Sequence, residues 1–160
     1  MARGQTTMDY AIGMSLFLLV LVGVFAFLPS IFAPFSADGG ASLVVADRSA
    51  DRLSGETLTN ATATPTVLDA DCTAAFFDAS ATVPTECNFE TDASNLSGAL
   101  GYDDRRHRLN VTIRGGSGIV TVSGTELQAG PVVPESGDVV TSSRVVLLDG
   151  DYDQLVVRVW

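Results

Sequence analysis

Few residues in this chain have types and spacings suited to chemistry. The single histidine, His107, sits in Asp103-Asp104-Arg105-Arg106-His107-Arg108, where an imidazole beside carboxylates has the parts of a proton relay. Five charges within six residues, leading into an alternating stretch, read instead as a solvated turn. Asp149-Gly150-Asp151-Tyr152-Asp153 matches the first half of an EF-hand loop, then departs from it. The sixth position is Gln154 rather than glycine and the twelfth is Trp160 rather than glutamate, leaving at most a weak hydrated-cation site in a hairpin turn. Gly115 to Gly118 lacks the lysine and following helix of a phosphate loop. The only two cysteines, Cys72 and Cys87, are read as a disulfide, with two buried thiols as the alternative. Together with one histidine they do not supply four zinc ligands. Sequons at Asn60-Ala61-Thr62, Asn95-Leu96-Ser97 and Asn110-Val111-Thr112 mark candidate glycosylation sites. No catalytic residue, metal site or cofactor is assigned, and the chain is expected not to be an enzyme.

The elements that must carry these residues begin with an apolar block. From Tyr10 to Phe35 there is no charged residue, and a helix over Tyr10 to Leu28 is about 28 Å long at about 1.5 Å per residue, the thickness of a bilayer core. Pro29 and Pro34 predict a kink or stop near Leu28, with the following residues at the interface. A conventional secretory signal fits poorly, because the apolar run is too long and no small-residue cleavage site follows it. Three segments result: a leader and membrane-entry stretch over 1–9, a membrane helix over 10–35, and a head over 36–160.

What precedes the block is Met1-Ala2-Arg3-Gly4-Gln5-Thr6-Thr7-Met8-Asp9-Tyr10. This start resembles the class III signal of archaeal type IV pilins, and with the helix that follows it resembles a group of small haloarchaeal membrane proteins with pilin-like starts. The resemblance implies cleavage by a prepilin peptidase between Gly4 and Gln5, before the apolar segment. It also implies that Asp9, then the fifth residue, pairs with the α-ammonium of a neighbouring subunit and sets axial register. The residues alone leave open a second role, in which Asp9, Thr6 and Thr7 cap the helix start at headgroup level. The implied function is that of a surface structural protein in a pilus-like filament, with a homo-oligomer or other pilin-like subunits as partners. The alternative is a permanently anchored single-pass protein whose head is a binding module.

Charge supports the same partition. The chain carries 9 basic and 19 acidic residues, a net −10 with no lysine, which argues against an electrostatic nucleic-acid partner. Acid excess without lysine resembles the composition of proteins from salt-loving archaea. A mean hydropathy of +0.30 in so acidic a chain is reconciled by the apolar block. Every acid but Asp9 and every arginine but Arg3 follows Phe35, so the positive-inside rule places the N-terminus in the cytoplasm and the head outside.

The head reads as α+β. Leu43, Ala46, Ala50 and Leu53 fall at helical spacing, with Gly55 ending that helix. Glu56 to Pro65 reads as loop or edge strand, Thr66 to Leu68 as a strand, and Cys72 to Asp78 as a short helical turn. Arg108 to Arg114 and Ile119 to Ser123 alternate with period two around Gly115–Gly118, and Ser143 to Leu148 pairs with Leu155 to Val159, predicting an antiparallel meander of at least four strands. Leu109, Val111 and Ile113 face the core; Asn110 and Thr112 are expected to face solvent.

Overall fold

A computed structural model describes residues 5–36, 39–59, 64 and 66–160, with side chains over 8–28, 40–59, 64 and 66–160. It divides into two compact units, Met1–Asp38 and Gly39–Trp160.

The first unit is one helix, α1 (Gln5–Ser36). Within it Met8–Leu28 has a mean hydropathy of 2.7 and none of it is buried, so by length and composition it is a candidate membrane span. The stop expected near Leu28 is not there: α1 runs through both prolines to Ser36. An interior proline forfeits its own N–H donor and crowds the carbonyl four residues before it, but its fixed φ near −65° lies within helical range, and α1 continues past both. Ser15 turns its hydroxyl back onto the Ala11 carbonyl at 2.7 Å, so that polar group is satisfied within the helix.

In the second unit, α2 (Gly39–Arg52) packs across β7 (Val140–Leu148) and β8 (Asp151–Val159). Its buried stripe is Ser42, Ala46, Ser49 and Ala50, continued by Leu53 just past its end, while Leu43 is 49% exposed. Small side chains let the helix lie close to the sheet, and Leu43 is rotated off that contact. Gly55 does not end the helix either. The backbone widens into a π turn over Leu53–Thr57, closed by Leu58 N–H donating to the Leu53 carbonyl at 3.1 Å. Leu53, Thr57 and Leu58 are all buried, so apolar anchoring carries the helix past the glycine.

The main sheet has the order β1-β7-β8-β2-β3, where β1 is Val67–Leu68, β2 Leu109–Gly115 and β3 Gly118–Ile119, and β6 (Gln128–Ala129) also pairs with β2. All pairings are antiparallel except β1 with β7. This is not the expected meander. The last strand, β8, inserts between β7 and β2, and the Arg108 and Trp160 backbones exchange hydrogen bonds of 2.8 and 3.1 Å at its end. Nor is Ile119 to Ser123 one strand: the chain pairs briefly with β2, leaves as the small hairpin β4 (Thr121–Val122) and β5 (Thr125–Glu126), and returns as β6. Positive φ at Ser123 and Gly124 forms that tight turn, and Leu127 closes it by inserting into the core.

Leu109, Val111 and Ile113 are fully buried, as the alternation predicts, beside Leu155, Val157 and Val159. Helix α3 (Ala70–Phe77), capped by Asp69 accepting from the Cys72 N–H at 2.9 Å, adds Phe76, which meets Phe77 and Phe89 edge-on at 5.3 Å. Helix α4 (Leu96–Leu100) contributes Leu96, Ala99 and Leu100.

Candidate functional site

Because a strand alternates its side chains, the sheet has two faces, and α2 covers only one. The register aligns Thr141, Arg158 and Asn110 in one row of the other face, Ser143, Val156 and Thr112 in the next, and Val145, Gln154 and Arg114 in a third. Two concavities of about 600 and 310 Å³ lie on this face, and Arg114 and Arg158 line both. The Arg158 guanidinium donates to the Thr112 hydroxyl at 3.3 Å. Tyr152 stands 80% exposed at the rim of the larger concavity. Such a surface combines cationic forks, hydroxyls, an amide and one aromatic ring, a set suited to holding a polar anion.

Asn110 belongs to this face but does not face solvent, correcting the expectation for it and for Thr112, which is also buried. Past β6 the chain bends over it at Gly130, and Asn110 Nδ2 donates to the Ala129 and Pro131 carbonyls at 3.2 and 3.1 Å. The nitrogen a glycan needs is thus occupied inside the folded domain. Asn95 is exposed: its Oδ1 caps α4 by accepting from Gly98 N–H at 3.0 Å and from the Ser97 hydroxyl at 3.0 Å. Asn60 and Gly4 lie outside the described residues. Gln5 is the first residue of α1, and Asp9 is exposed on that helix just ahead of the apolar run.

Cys72 and Cys87 form a disulfide with 5.4 Å between Cα atoms. The acidic run at Asp149 is explained by a two-residue hairpin turn, with Asp149 and Gly150 both at positive φ, while Asp151 and Asp153 belong to β8. Burial, and secondarily the Asp151 charge, push the Asp153 carboxyl above its ordinary value. Among the described residues no three His, Cys, Asp or Glu side chains converge as a metal-binding group. His107 Nδ1 lies 3.4 Å from the Ser42 hydroxyl, tying the turn before β2 to α2, and no ion pair with a carboxylate is formed by His107 among the described residues.

Two groupings escaped the reading of the sequence. Ser142 donates to Asp47 Oδ1 at 2.6 Å, and Arg144 reaches Asp47 and Asp51 at 3.3 and 2.8 Å, joining α2 to β7 across more than ninety residues. Arg114 and Arg158 meet on one face only through the β2–β8 register, although the alternation of each strand already set which face each occupies. A family model matches the chain over residues 1–160, helix and head together. The chain belongs to DUF7287, a family of unknown function. No curated protein and no solved structure matches it. The DUF7287 match spans both structural units, so the apolar helix is part of the family's architecture along with the β-rich head.

Proposed function

We propose that this chain is a pilin-like cell-surface structural protein, held in the membrane by α1 as a precursor and then assembled with further copies or other pilin-like subunits into a filament. The reading rests on one observation: an acidic side chain, Asp9, stands within α1 at the start of its apolar run of spanning length, and that helix is followed by a separate folded head. A carboxylate at that depth is costly to bury alone and is stabilised by a neighbour's α-ammonium, which cleavage between Gly4 and Gln5 by a prepilin peptidase exposes. Arg3 keeps the N-terminus cytoplasmic, and the disulfide is in keeping with an outer compartment for the head. The role is one of assembly or adhesion, not catalysis.

Mass spectrometry of the protein from its own membranes tests this. Gln5 as the first residue is the expected result; an intact Arg3-Gly4 would sink the pilin reading in favour of a permanently anchored binding module, which the concave open face of the sheet otherwise supports. Register is tested separately: Asp9→Ala is expected to leave processing intact and abolish filaments, and unaltered filaments would remove that role from Asp9.

A further inference from the structure

On the open face of the sheet this acidic chain presents two arginines, Arg114 and Arg158, that form no ion pair among the described residues. Its two concavities share Arg114 and Arg158, and among the described residues no Asp or Glu lines either one. Arg106 meets Asp103 and Arg144 meets Asp47 and Asp51; Arg114 and Arg158, like Arg48, Arg52, Arg105 and Arg108, form no ion pair among the described residues, but the concavity beside Arg105 and Arg108 also holds Asp104, whereas the two beside Arg114 and Arg158 hold no acid. Arg158 is level with Asn110, and Arg114 lies four residues further along β2. At about 3.4 Å per residue the two positions are roughly 14 Å apart along the sheet. Between them Val156 forms an apolar floor, Thr141, Ser143 and Gln154 offer hydrogen-bonding groups, and Tyr152 stands exposed near the Arg114 end.

We infer that this face binds a carboxylate-bearing oligosaccharide of the uronic-acid class. The guanidinium forks take carboxylates on separated sugar units, the hydroxyls and amide take ring hydroxyls, and the Tyr152 ring covers a sugar's C–H face. Charge complementarity selects the acid, and the density of hydroxyl and amide groups selects a hydroxylated ligand. A second copy of this chain fits less well. The exposed large apolar side chains here are Tyr152 and Val145 on these rows and Val132 and Ile119 at the second concavity, few beside the roughly 20–30 residues a side of a stable protein interface. The inference stands apart from the filament reading, since it needs only the folded head and is blind to cleavage at Gly4.

The experiment is calorimetric titration of the full-length protein in detergent micelles with oligogalacturonate and, in parallel, with its neutral methyl ester. The acid is expected to bind, the ester to bind at least about tenfold more weakly, and affinity for the acid to fall as salt is raised. Arg114→Gln and Arg158→Gln are each expected to weaken binding roughly tenfold, with the thermal midpoint unchanged as proof of folding. Arg48→Gln, an exposed arginine on α2, is the control that leaves binding as it was. Absence of binding by the folded protein, equal affinity for the ester, or full affinity in the Arg114→Gln/Arg158→Gln double variant would each overturn the assignment. A hexaglutamate peptide binding as tightly, or self-association in sedimentation that the double variant abolishes, would overturn it in favour of a protein partner.

Discussion

Ser142 is buried between a helix carboxylate and a strand guanidinium, donating to Asp47 and accepting from Arg144 at 3.0 Å. The Ser142 hydrogen bond, and after it the Arg144 guanidinium, hold the Asp47 carboxyl below its ordinary value of 3.8. A carboxyl lowered in the folded state stabilises the fold fully above its unfolded value and loses that contribution as pH falls through the folded one. Ser142→Ala is therefore expected to lower the thermal midpoint at pH 7, and the gap from wild type should narrow as pH drops below about 4; a gap independent of pH would show that packing alone was lost. Gly130 illustrates a different constraint. At φ 89° its missing side chain would strike the Leu109 carbonyl and the Asn110 backbone, so Gly130→Ala should cost roughly 2–4 kcal/mol in denaturant unfolding. Asn110 depends on the same bend. Asn110→Ala leaves the Ala129 and Pro131 carbonyls without their donor and should destabilise by about 1–3 kcal/mol in protein made without glycosylation. Glycopeptide mapping is correspondingly expected to find Asn110 unmodified, Asn95 being the exposed candidate among the described residues.

Among the elements, the disulfide shows how a local covalent tie serves a core. It joins the buried start of α3 to the segment carrying Phe89, which meets Phe76 edge-on. Closing a loop whose ends are 15 residues apart contributes roughly 3 kcal/mol through the unfolded state. The Cys72→Ser/Cys87→Ser double variant should lose about that much in urea unfolding while keeping the sheet's far-ultraviolet signature. Local pattern served the reading well where both ends of an element answered to nearby residues: α3, β2 and the β7–β8 hairpin with its Asp149-Gly150 turn lie close to where alternation and turn chemistry predict. It failed where distant burial decided the boundary. Gly55 is a good helix terminator in isolation, yet Leu53, Thr57 and Leu58 gain more from the core than the glycine costs.

For the molecule as a whole, two units of opposite solvent preference share one chain. The helix unit exposes an uncharged apolar surface from Tyr10 to Leu28, while the head buries its apolar residues around a sheet and one covering helix. The full chain is accordingly expected to remain in the membrane pellet through an alkaline carbonate wash, and deletion of residues 10–28 should release it to the supernatant. Recovery of the intact chain in the wash would show that the helix does not span.

By itself the sequence determined the apolar helix, the α+β character of the head, the cysteine pair and the strands β2, β7 and β8, because each follows from hydrophobic period or covalent chemistry within a short window. Only the tertiary structure decided that β8 lies between β7 and β2, that Asn110 turns inward beneath the bend at Gly130, and that Arg114 and Arg158 share one open face. Those three outcomes depend on strand order and register, which arise from which distant surfaces bury one another, and a short window of sequence does not contain both partners.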